Sequence, residues 1–259
     1  MGRRKGRAPR PHRILNAVPL LIAAVLAPEK VHAGAPFQTD DPGVVARGGV
    51  ELLVFSQQTL AADGRSGVLP GVELHYGAAE NVELDLVAPI AFHSPKGEGA
   101  RRGYGDTQLG LKYGLLEERE ALPEIGFAPK LLLPTGNADR GLGNGGTAVY
   151  LPIWLQKNLG DLRTYGGGGY WINRGSGNRN YWFVGAEAQY RFSDRWMLGA
   201  EIFHTTPTRL DERASTGFNV GGAYAIDPRA QWLFSIGKGL QNVSQTNRVS
   251  GYLGYQASY

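Results

Sequence analysis

Apolar and polar residues alternate at every second position along most of the chain, in segments that end at turn-forming residues. In the segment 196–203, Leu198 and Ala200 fall on one side of the alternation and Glu201 falls on the other. Side chains alternate between the two faces of a β-strand, whereas an amphipathic helix repeats every ~3.6 residues. The pattern therefore predicts a protein built from β-strands.

Twelve segments of this kind occur, and we predict that each forms one antiparallel strand. Their approximate spans are 49–58, 69–78, 81–92, 105–115, 123–134, 146–157, 162–173, 180–191, 195–205, 215–225, 229–238 and 248–259. Short turns alternate with longer polar loops, which are expected at 59–68, 94–104, 135–145 and 206–214. Short periplasmic turns opposite longer external loops, with both termini in the periplasm, are typical of outer-membrane β-barrels.

One face of the predicted strands is apolar, and the other carries charged residues and glycine. A soluble β-sandwich buries its apolar face against a second sheet, whereas a membrane barrel turns it outward to lipid. Aromatic residues lie near several strand ends on the apolar face, as in interfacial girdles: Trp182, Tyr190, Trp196 and Trp232. The predicted fold class is all-β, a transmembrane antiparallel up-and-down β-barrel, most simply of twelve strands and of an even number within two of that.

The first 33 residues depart from this pattern, and we predict that they form a cleaved signal peptide. Basic residues from Arg3 to Arg13 precede an apolar run from Ile14 to Ala27, and a signal-peptidase site ends at Ala33. A membrane anchor is the alternative, but the run is shorter than the roughly 20 residues that a spanning helix needs. The expected organisation is a signal peptide (1–33), an N-terminal periplasmic or plug segment (34–48) and an outer-membrane barrel (49–259).

Removing the leader changes the electrostatic picture. The whole chain has a net charge of +4, whereas residues 1–33 alone carry +6, which leaves a mature protein of −2. The pI of about 9.3 is therefore due to the leader, and no nucleic-acid partner is expected. The chain has no cysteine, which excludes disulfides and thiolate metal sites.

The last predicted strand places apolar and aromatic residues at every second position up to Tyr259. Leu253, Tyr255 and Tyr259 therefore resemble the signal by which the barrel assembly machinery recognises its substrates. The alternative is an ordinary amphipathic strand that happens to end in tyrosine. Behind a predicted signal peptide, we favour the assembly signal.

Several stretches of the chain resemble the family named for the meta-pathway of phenol degradation, whose members are described as outer-membrane transporters. They are PFQTDDP at 36–42, GDTQLGLKY at 105–113, LPTG at 133–136, GLGNG at 141–145 and YGGGGYW at 165–171. The resemblance runs from about Pro36 to the C-terminus. It implies a barrel and, by association, a hydrophobic or aromatic cargo.

Charged residues on the predicted inward face are the candidate lumen-lining residues. They are Glu51, Glu73, His75, Glu83, Asp85, Lys112, Lys130, Glu187, Arg191 and Glu201. Neighbouring strands bring such groups within reach of one another, and buried charges need partners. An acid-to-lysine ladder that fills the lumen and a charged constriction that selects solutes are both consistent with the pattern.

Asp40 and Asp41 precede the first strand and have two interpretations. They could enter the lumen as part of a plug, held by Lys112, Lys130 or Arg191. They could equally cap a turn, since aspartate before proline commonly starts turns. The sequence favours neither.

Two glycine-rich stretches carry weak signals. The letters of Gly141–Gly146 match a dinucleotide-binding motif, but a strand rather than a helix is predicted to follow, so we interpret the stretch as an external loop. Gly166–Gly169 lie inside a predicted strand, where glycine weakens pairing. Close packing against bulky neighbours such as Phe183 is favoured over a thinned wall that makes room for a ligand.

A catalytic barrel is the main rival to a channel. It would require a serine or threonine within hydrogen-bond reach of His75 or His204, and no serine stands in an obvious nucleophile context. No catalytic residue, cofactor or metal ion is therefore expected.

The leading functional prediction is passive passage of small hydrophobic or aromatic solutes through a narrow, partly plugged lumen in the bacterial outer membrane. Selectivity would come from the inward charges and from inner aromatic residues: Phe55, Tyr165, Trp171 and Tyr252. A closed barrel with a structural or adhesive role is the alternative. Expected partners are outer-membrane lipid, lipopolysaccharide, the barrel assembly machinery and the solute.

Overall fold

The computed structural model describes residues 1–2 and 34–259, and the elements below all belong to the unit Val31–Tyr259. The predicted signal peptide lies outside the described residues, apart from its first two. Among the described residues, no helix is long and apolar enough to cross a bilayer.

Residues 34–259 contain fourteen strand segments and two short helices. The strands are β1 (Val50–Leu60), β2 (Gly64–Ala79), β3 (Val82–Pro95), β4 (Arg101–Tyr104), β5 (Thr107–Leu116), β6 (Glu124–Phe127), β7 (Lys130–Leu133), β8 (Ala148–Leu159), β9 (Leu162–Asn173), β10 (Tyr181–Arg191), β11 (Trp196–Thr205), β12 (Ser215–Asp227), β13 (Ala230–Gln241) and β14 (Val249–Ser258). The helices are a 3₁₀ turn (Ala138–Arg140) and α1 (Val243–Thr246).

The fourteen segments form a closed barrel of twelve antiparallel strands. Both β4 and β5 pair with β3, and both β6 and β7 pair with β5 and β8, so each of these two pairs is one barrel strand with a break. The second break falls at Ala128 and Pro129, where proline has no N–H to donate to a ladder. Pairing of β1 with β14 closes the barrel. The predicted fold class and strand count are confirmed.

The first hairpin differs from the sequence prediction of a loop at 59–68. β1 runs on to Leu60 and β2 begins at Gly64, so the connection is only residues 61–63. Gln57 pairs with Val68, and Leu60 pairs with Arg65. Polar residues occupy both faces of this part of the hairpin, so the sequence no longer alternates between apolar and polar residues. The backbone pairing between β1 and β2 continues nevertheless.

The two faces of the barrel have opposite character, and the apolar one is outside. Leu84 and Leu111 are exposed by 46% and 40%, whereas Glu83 and Lys112 on the same two strands are exposed by 2% and 6%. Only lipid makes such an apolar outer surface stable. The four predicted girdle residues are among the exposed large side chains on this surface.

Candidate functional site

We call the chain before β1, residues 34–49, the N-terminal segment, and most of it, up to Val45, lies inside the barrel. Thr39 and Asp41 are almost completely buried. The N–H and hydroxyl of Thr39 both donate to the Glu201 carboxylate, each at 2.8 Å, and the Val45 N–H donates to Glu83 at 2.6 Å. Glu83 and Glu201 lie on the third and ninth of the twelve barrel strands. Since these strands are opposite each other, the segment crosses the lumen.

Two lysines hold the N-terminal segment from one side. Lys112 Nζ lies 3.0 Å from Asp40 Oδ1 and 3.7 Å from Asp41 Oδ1, and Lys130 Nζ lies 3.1 Å from Asp40 Oδ2. Although burial raises the pKa of Asp40, the two lysine charges and their hydrogen bonds hold that pKa well below its usual value. Arg191, the third candidate partner, is exposed at the end of β10.

Asp41 also organises a turn. Its Oδ1 accepts a hydrogen bond from the N–H of Gly43 at 2.9 Å, across Pro42. This is the aspartate turn that the Asp-Pro sequence suggests. Asp40 is thus the main ion-pair partner of the two lysines, and Asp41 shapes the chain.

Glycines in the barrel wall make room for the N-terminal segment. A Cβ atom on Gly185 would lie 2.2 Å from Thr39 Oγ1, and one on Gly126 would lie 2.8 Å from Pro42 Cα. Gly77 is similarly close to the backbone at the end of the segment. Any side chain at these positions would collide with the segment. Part of the glycine content of the inward face is therefore explained by the segment that runs across it.

A histidine bound by acids lies next to the lysines. His75 Nδ1 lies 2.7 Å from Asp85 Oδ1 and 3.2 Å from Glu83 Oε1, and His75 Nε2 lies 3.7 Å from Glu73 Oε1. We call the inward side chains of β2 to β7, namely Glu73, His75, Glu83, Asp85, Lys112 and Lys130, the ionic wall. The donor atoms of His75, Glu83 and Asp85 are within 4.8 Å of one another, near enough to hold a metal ion. The prediction of no metal site stays untested.

The opposite wall binds its acids with amides and hydroxyls. Gln189 Nε2 donates to Glu187 Oε1 at 2.6 Å and to the Tyr165 hydroxyl at 2.8 Å. Asn219 Nδ2 donates to Glu201, which is also the acceptor for the N-terminal segment. We call Tyr165, Glu187, Gln189, Glu201 and Asn219 the amide wall. The acid-to-lysine ladder considered from the sequence thus describes the ionic wall rather than this one.

Two cavities lie beside the N-terminal segment. The inner cavity, of about 260 Å³, adjoins the ionic wall, and the outer cavity, of about 370 Å³, lies nearer the end of the barrel that carries the longer loops. Four residues line both cavities and separate them: Phe37, Gln38, Gln57 and Tyr252. The Tyr252 and Phe55 rings stack with centroids 5.7 Å apart. The lumen thus holds two spaces with the segment between them.

The other inner aromatic residues pack in one group. Trp171 stacks between Tyr150 and Tyr181, with centroid distances of 4.6 and 5.7 Å. Trp154 packs edge-on against Phe183 at 6.3 Å, close to Gly167. Of the four glycines at 166–169, Gly167 lies beside the Trp154 ring, whereas a Cβ atom on each of the others would first meet the backbone of a neighbouring strand.

The motif at Gly141–Gly146 belongs to a folded loop. Asp106 accepts hydrogen bonds from the N–H groups of Gly136 and Asn144, at 2.8 and 2.5 Å, and Leu142 is buried. β8 follows the motif, as predicted. Sequence reasoning missed Asp106, although its position in the Gly-Asp-Thr stretch before β5 was a signal of a turn acid.

His204 meets the distance criterion set for a catalytic alternative. Its Nδ1 lies 2.8 Å from the hydroxyl of Thr216. That hydroxyl has a second partner, since Gln241 Oε1 accepts from it at 3.0 Å. His75 contacts carboxylates instead. The distance alone does not make a nucleophile–base pair.

The residues of the predicted assembly signal lie on the outside of β14 or at its end. Leu253, Tyr255 and Tyr259 are all exposed. The backbones of Tyr259 and Val50 exchange hydrogen bonds of 2.8 and 3.1 Å, next to the seam between β1 and β14. The signal residues are thus accessible from the lipid side.

Comparison with known proteins gives a family and a fold. A family model described as "Putative MetA-pathway of phenol degradation" matches residues 33–257. Curated proteins give no match. The structure is similar to the COG4313 outer membrane channel from Pseudomonas putida F1, with a TM-score of 0.66 and 22% identity over 85% of this chain and 98% of that one. It is also similar to the NanC porin, with a TM-score of 0.58 and 8% identity over 80% and 98% of the two chains. Fold and apolar outer surface together identify a bacterial outer-membrane β-barrel.

Proposed function

Because this chain belongs to the phenol-degradation family of outer-membrane barrels, we propose that it is a channel for small hydrophobic or aromatic solutes, closed in the observed conformation by its N-terminal segment. The observation that carries the proposal is the segment itself, which crosses the lumen between two cavities. A solute would pass when the segment moves aside. The inward charges and the inner aromatic rings would then set selectivity.

The contacts of the N-terminal segment support a removable plug. It is anchored by the ion pairs of Asp40 and by hydrogen bonds to Glu83 and Glu201, and the described residues form no disulfide that would fix it to the wall. Polar anchors of this kind exchange readily with water once the segment leaves. The segment also buries the apolar side chains of Phe37 and Val45, which oppose its release.

An engineered disulfide tests the plug directly, because the natural chain has no cysteine. The Cβ of Thr39 lies 3.2 Å from the position of a Cβ on Gly185, near the ~3.5–4.5 Å that a disulfide requires. Single-channel conductance of the Thr39→Cys, Gly185→Cys double variant would be measured in a planar bilayer before and after reduction. We expect closed channels when oxidised and conducting steps when reduced. Thr39→Cys alone and Gly185→Cys alone should both be insensitive to reductant, and Gly185→Cys alone also measures how far a side chain at this position displaces the segment.

A closed barrel with a structural or adhesive role is the second candidate, favoured by the ion pairs that occupy the lumen. A silent bilayer from natural protein, the reduced double variant and a variant lacking residues 34–47, all with verified insertion, would exclude the channel and leave this role. The proposed mechanism involves no catalytic step.

The remaining partners are proposals on the same basis. The exposed apolar band would contact outer-membrane lipid and lipopolysaccharide, and Leu253, Tyr255 and Tyr259 would contact the barrel assembly machinery. A Tyr259→Ser variant that reaches the outer membrane at the natural level would contradict the second assignment.

A further inference from the structure

We propose that the inner cavity binds a small single-ring aromatic compound that carries a protonated amine. This inference deepens the proposed channel function, since it names a class of solute. It is argued from the composition of the cavity walls and can be tested by binding, without any conduction.

One wall of the inner cavity is aromatic. Phe55 and Tyr252 stack nearly parallel, with an interplanar angle of 12°, and both line the cavity together with Phe37 of the N-terminal segment. The Phe55 ring packs directly over Gly71, where a Cβ atom would lie 2.4 Å from it. Rings held in this way offer faces and edges to a flat apolar ligand. This wall suits an aromatic ring.

The other wall is acidic. Charged residues lining the inner cavity include five acids, namely Asp40, Glu51, Glu73, Glu83 and Asp85, against two lysines, Lys112 and Lys130. A protonated His75 would bring the bases only to three. Both lysines are already engaged by Asp40. The excess of carboxylates in a confined space favours a cationic ligand over a neutral or anionic one.

Glu73 is the carboxylate best placed to receive the amine. Its side chain is 22% exposed, and its one ion-pair contact among the described residues, to His75 Nε2, is a long 3.7 Å. Glu51, by contrast, already accepts from Gln256 and Ser258. Glu73 follows Gly71 by two residues on the same face of β2, so it lies beside the ring of Phe55. Acid and aromatic groups therefore meet at one place.

Tyr252, which lines the same cavity, brings a second polar group to this wall, its hydroxyl. It is buried and has no hydrogen-bond partner among the described residues. A buried hydroxyl without a partner costs free energy, and a ligand ammonium group bound between Tyr252 and Glu73 would supply the missing hydrogen bond.

The cavity size limits the ligand to one ring. Its volume of about 260 Å³ is slightly below the roughly 300 Å³ at which ordinary small-molecule pockets begin. Benzylamine, a benzene ring with one protonated aminomethyl group, is a suitable probe. Benzyl alcohol and benzoate have similar size and shape with a neutral or a negative group, so they are matched controls.

The test is calorimetric binding of these three compounds to the full protein purified from outer membranes in detergent, with a chelator present to exclude metal ions. We expect benzylamine to bind roughly tenfold more tightly than benzyl alcohol, and benzoate more weakly than either. Glu73→Gln should weaken benzylamine roughly tenfold and leave benzyl alcohol unchanged. Tyr252→Phe should weaken benzylamine less, and the exposed-loop variant Glu98→Gln should not change it.

Equal affinity for benzylamine and benzyl alcohol would overturn the inference, as would a Glu73→Gln variant that binds benzylamine normally. Both results are independent of the channel proposal. Selective binding to a barrel that never conducts would refute the channel and keep the site. Conduction without selective binding would keep the channel and refute the site.

Discussion

The ionic wall and the amide wall hold the same N-terminal segment by different physical means. Lys112 and Lys130 attract Asp40 with full charges, whereas Glu201 accepts hydrogen bonds from the backbone and hydroxyl of Thr39. The ion pairs require a charge on both partners, whereas the hydrogen bonds of the amide wall require a charge on the carboxylate alone. One side of the plug is therefore held by paired charges, and the other by neutral donors to a carboxylate.

The difference between the two walls also explains how each one stabilises buried carboxylates. In the ionic wall, the lysines supply positive charge to Asp40 and Asp41, and the His75 ring nitrogen contacts Glu83 and Asp85. In the amide wall, Glu201 collects donors from the segment and from Asn219. A carboxylate with several donors is stabilised without a cation nearby. The two walls of the lumen thus offset the cost of burying carboxylates in different ways, one with cations and the other with neutral hydrogen-bond donors.

The largest effect is expected from breaking the ionic wall with Lys112→Met. Removing one partner of a buried ion pair costs about 3–5 kcal/mol, because Asp40 and Asp41 lose a close positive charge. The segment should leave the lumen, and the closed-to-open ratio in single-channel recordings should fall by roughly a hundredfold or more. Adding Asp40→Asn to this variant should restore part of the closed-to-open ratio, because it removes the carboxylate that lost its partner. If the effects of the two substitutions on the free energy of closing simply add, Lys112 and Asp40 do not form a direct pair.

The matching change in the amide wall, Glu201→Gln, should have a smaller effect. One carboxylate oxygen becomes a donor facing the N–H groups of Gln38 and Thr39. Losing hydrogen bonds to a charged acceptor costs about 1.5–3 kcal/mol. Conductance should rise less than in Lys112→Met, and Glu98→Gln in an exposed loop is the control. A larger rise in conductance than in Lys112→Met would show that the amide wall holds the segment more strongly than the ionic wall does.

Acid should loosen the ionic wall only at low pH. The pKa of Asp40 is lower when the segment is docked than when it is free, so its contribution is complete above the free value of about 3.9. That contribution is lost as the pH falls below this value through the lowered pKa. Open probability measured from pH 7 downward should stay flat to about pH 4 and rise below it.

Asp40→Asn provides the comparison for the acid prediction. This variant should lack the part of the rise in open probability at low pH that is due to Asp40, although other lumen acids still titrate. Identical pH curves for the natural protein and this variant would show that the ion pairs with Lys112 and Lys130 do not close the channel.

The sequence predicted strands and sidedness well, but it did not predict which groups meet across the lumen. Alternation specifies which face a residue occupies, and so it placed Glu83, Lys112 and Glu201 inside. It carries no information on contacts between distant segments, such as Thr39 with Glu201, 162 residues apart. Arg191 shows the same limit. Its position in the alternation predicts an inward side chain, yet the side chain is exposed at the end of its strand. Position along the barrel axis decides its environment, and the period of two does not report that position.

The smallest effect is expected from Tyr165→Phe in the amide wall. The change removes the acceptor of one Gln189 hydrogen bond, while Gln189 keeps its bond to Glu187. The cost is that of one neutral hydrogen bond, about 1 kcal/mol, and it should appear in the urea midpoint for unfolding. Conductance should not change, because Tyr165 does not hold the segment through this bond. Tyr170→Phe in the same strand is the control. If Tyr165→Phe opens the channel instead, the amide wall transmits changes in its own hydrogen bonds to the plug.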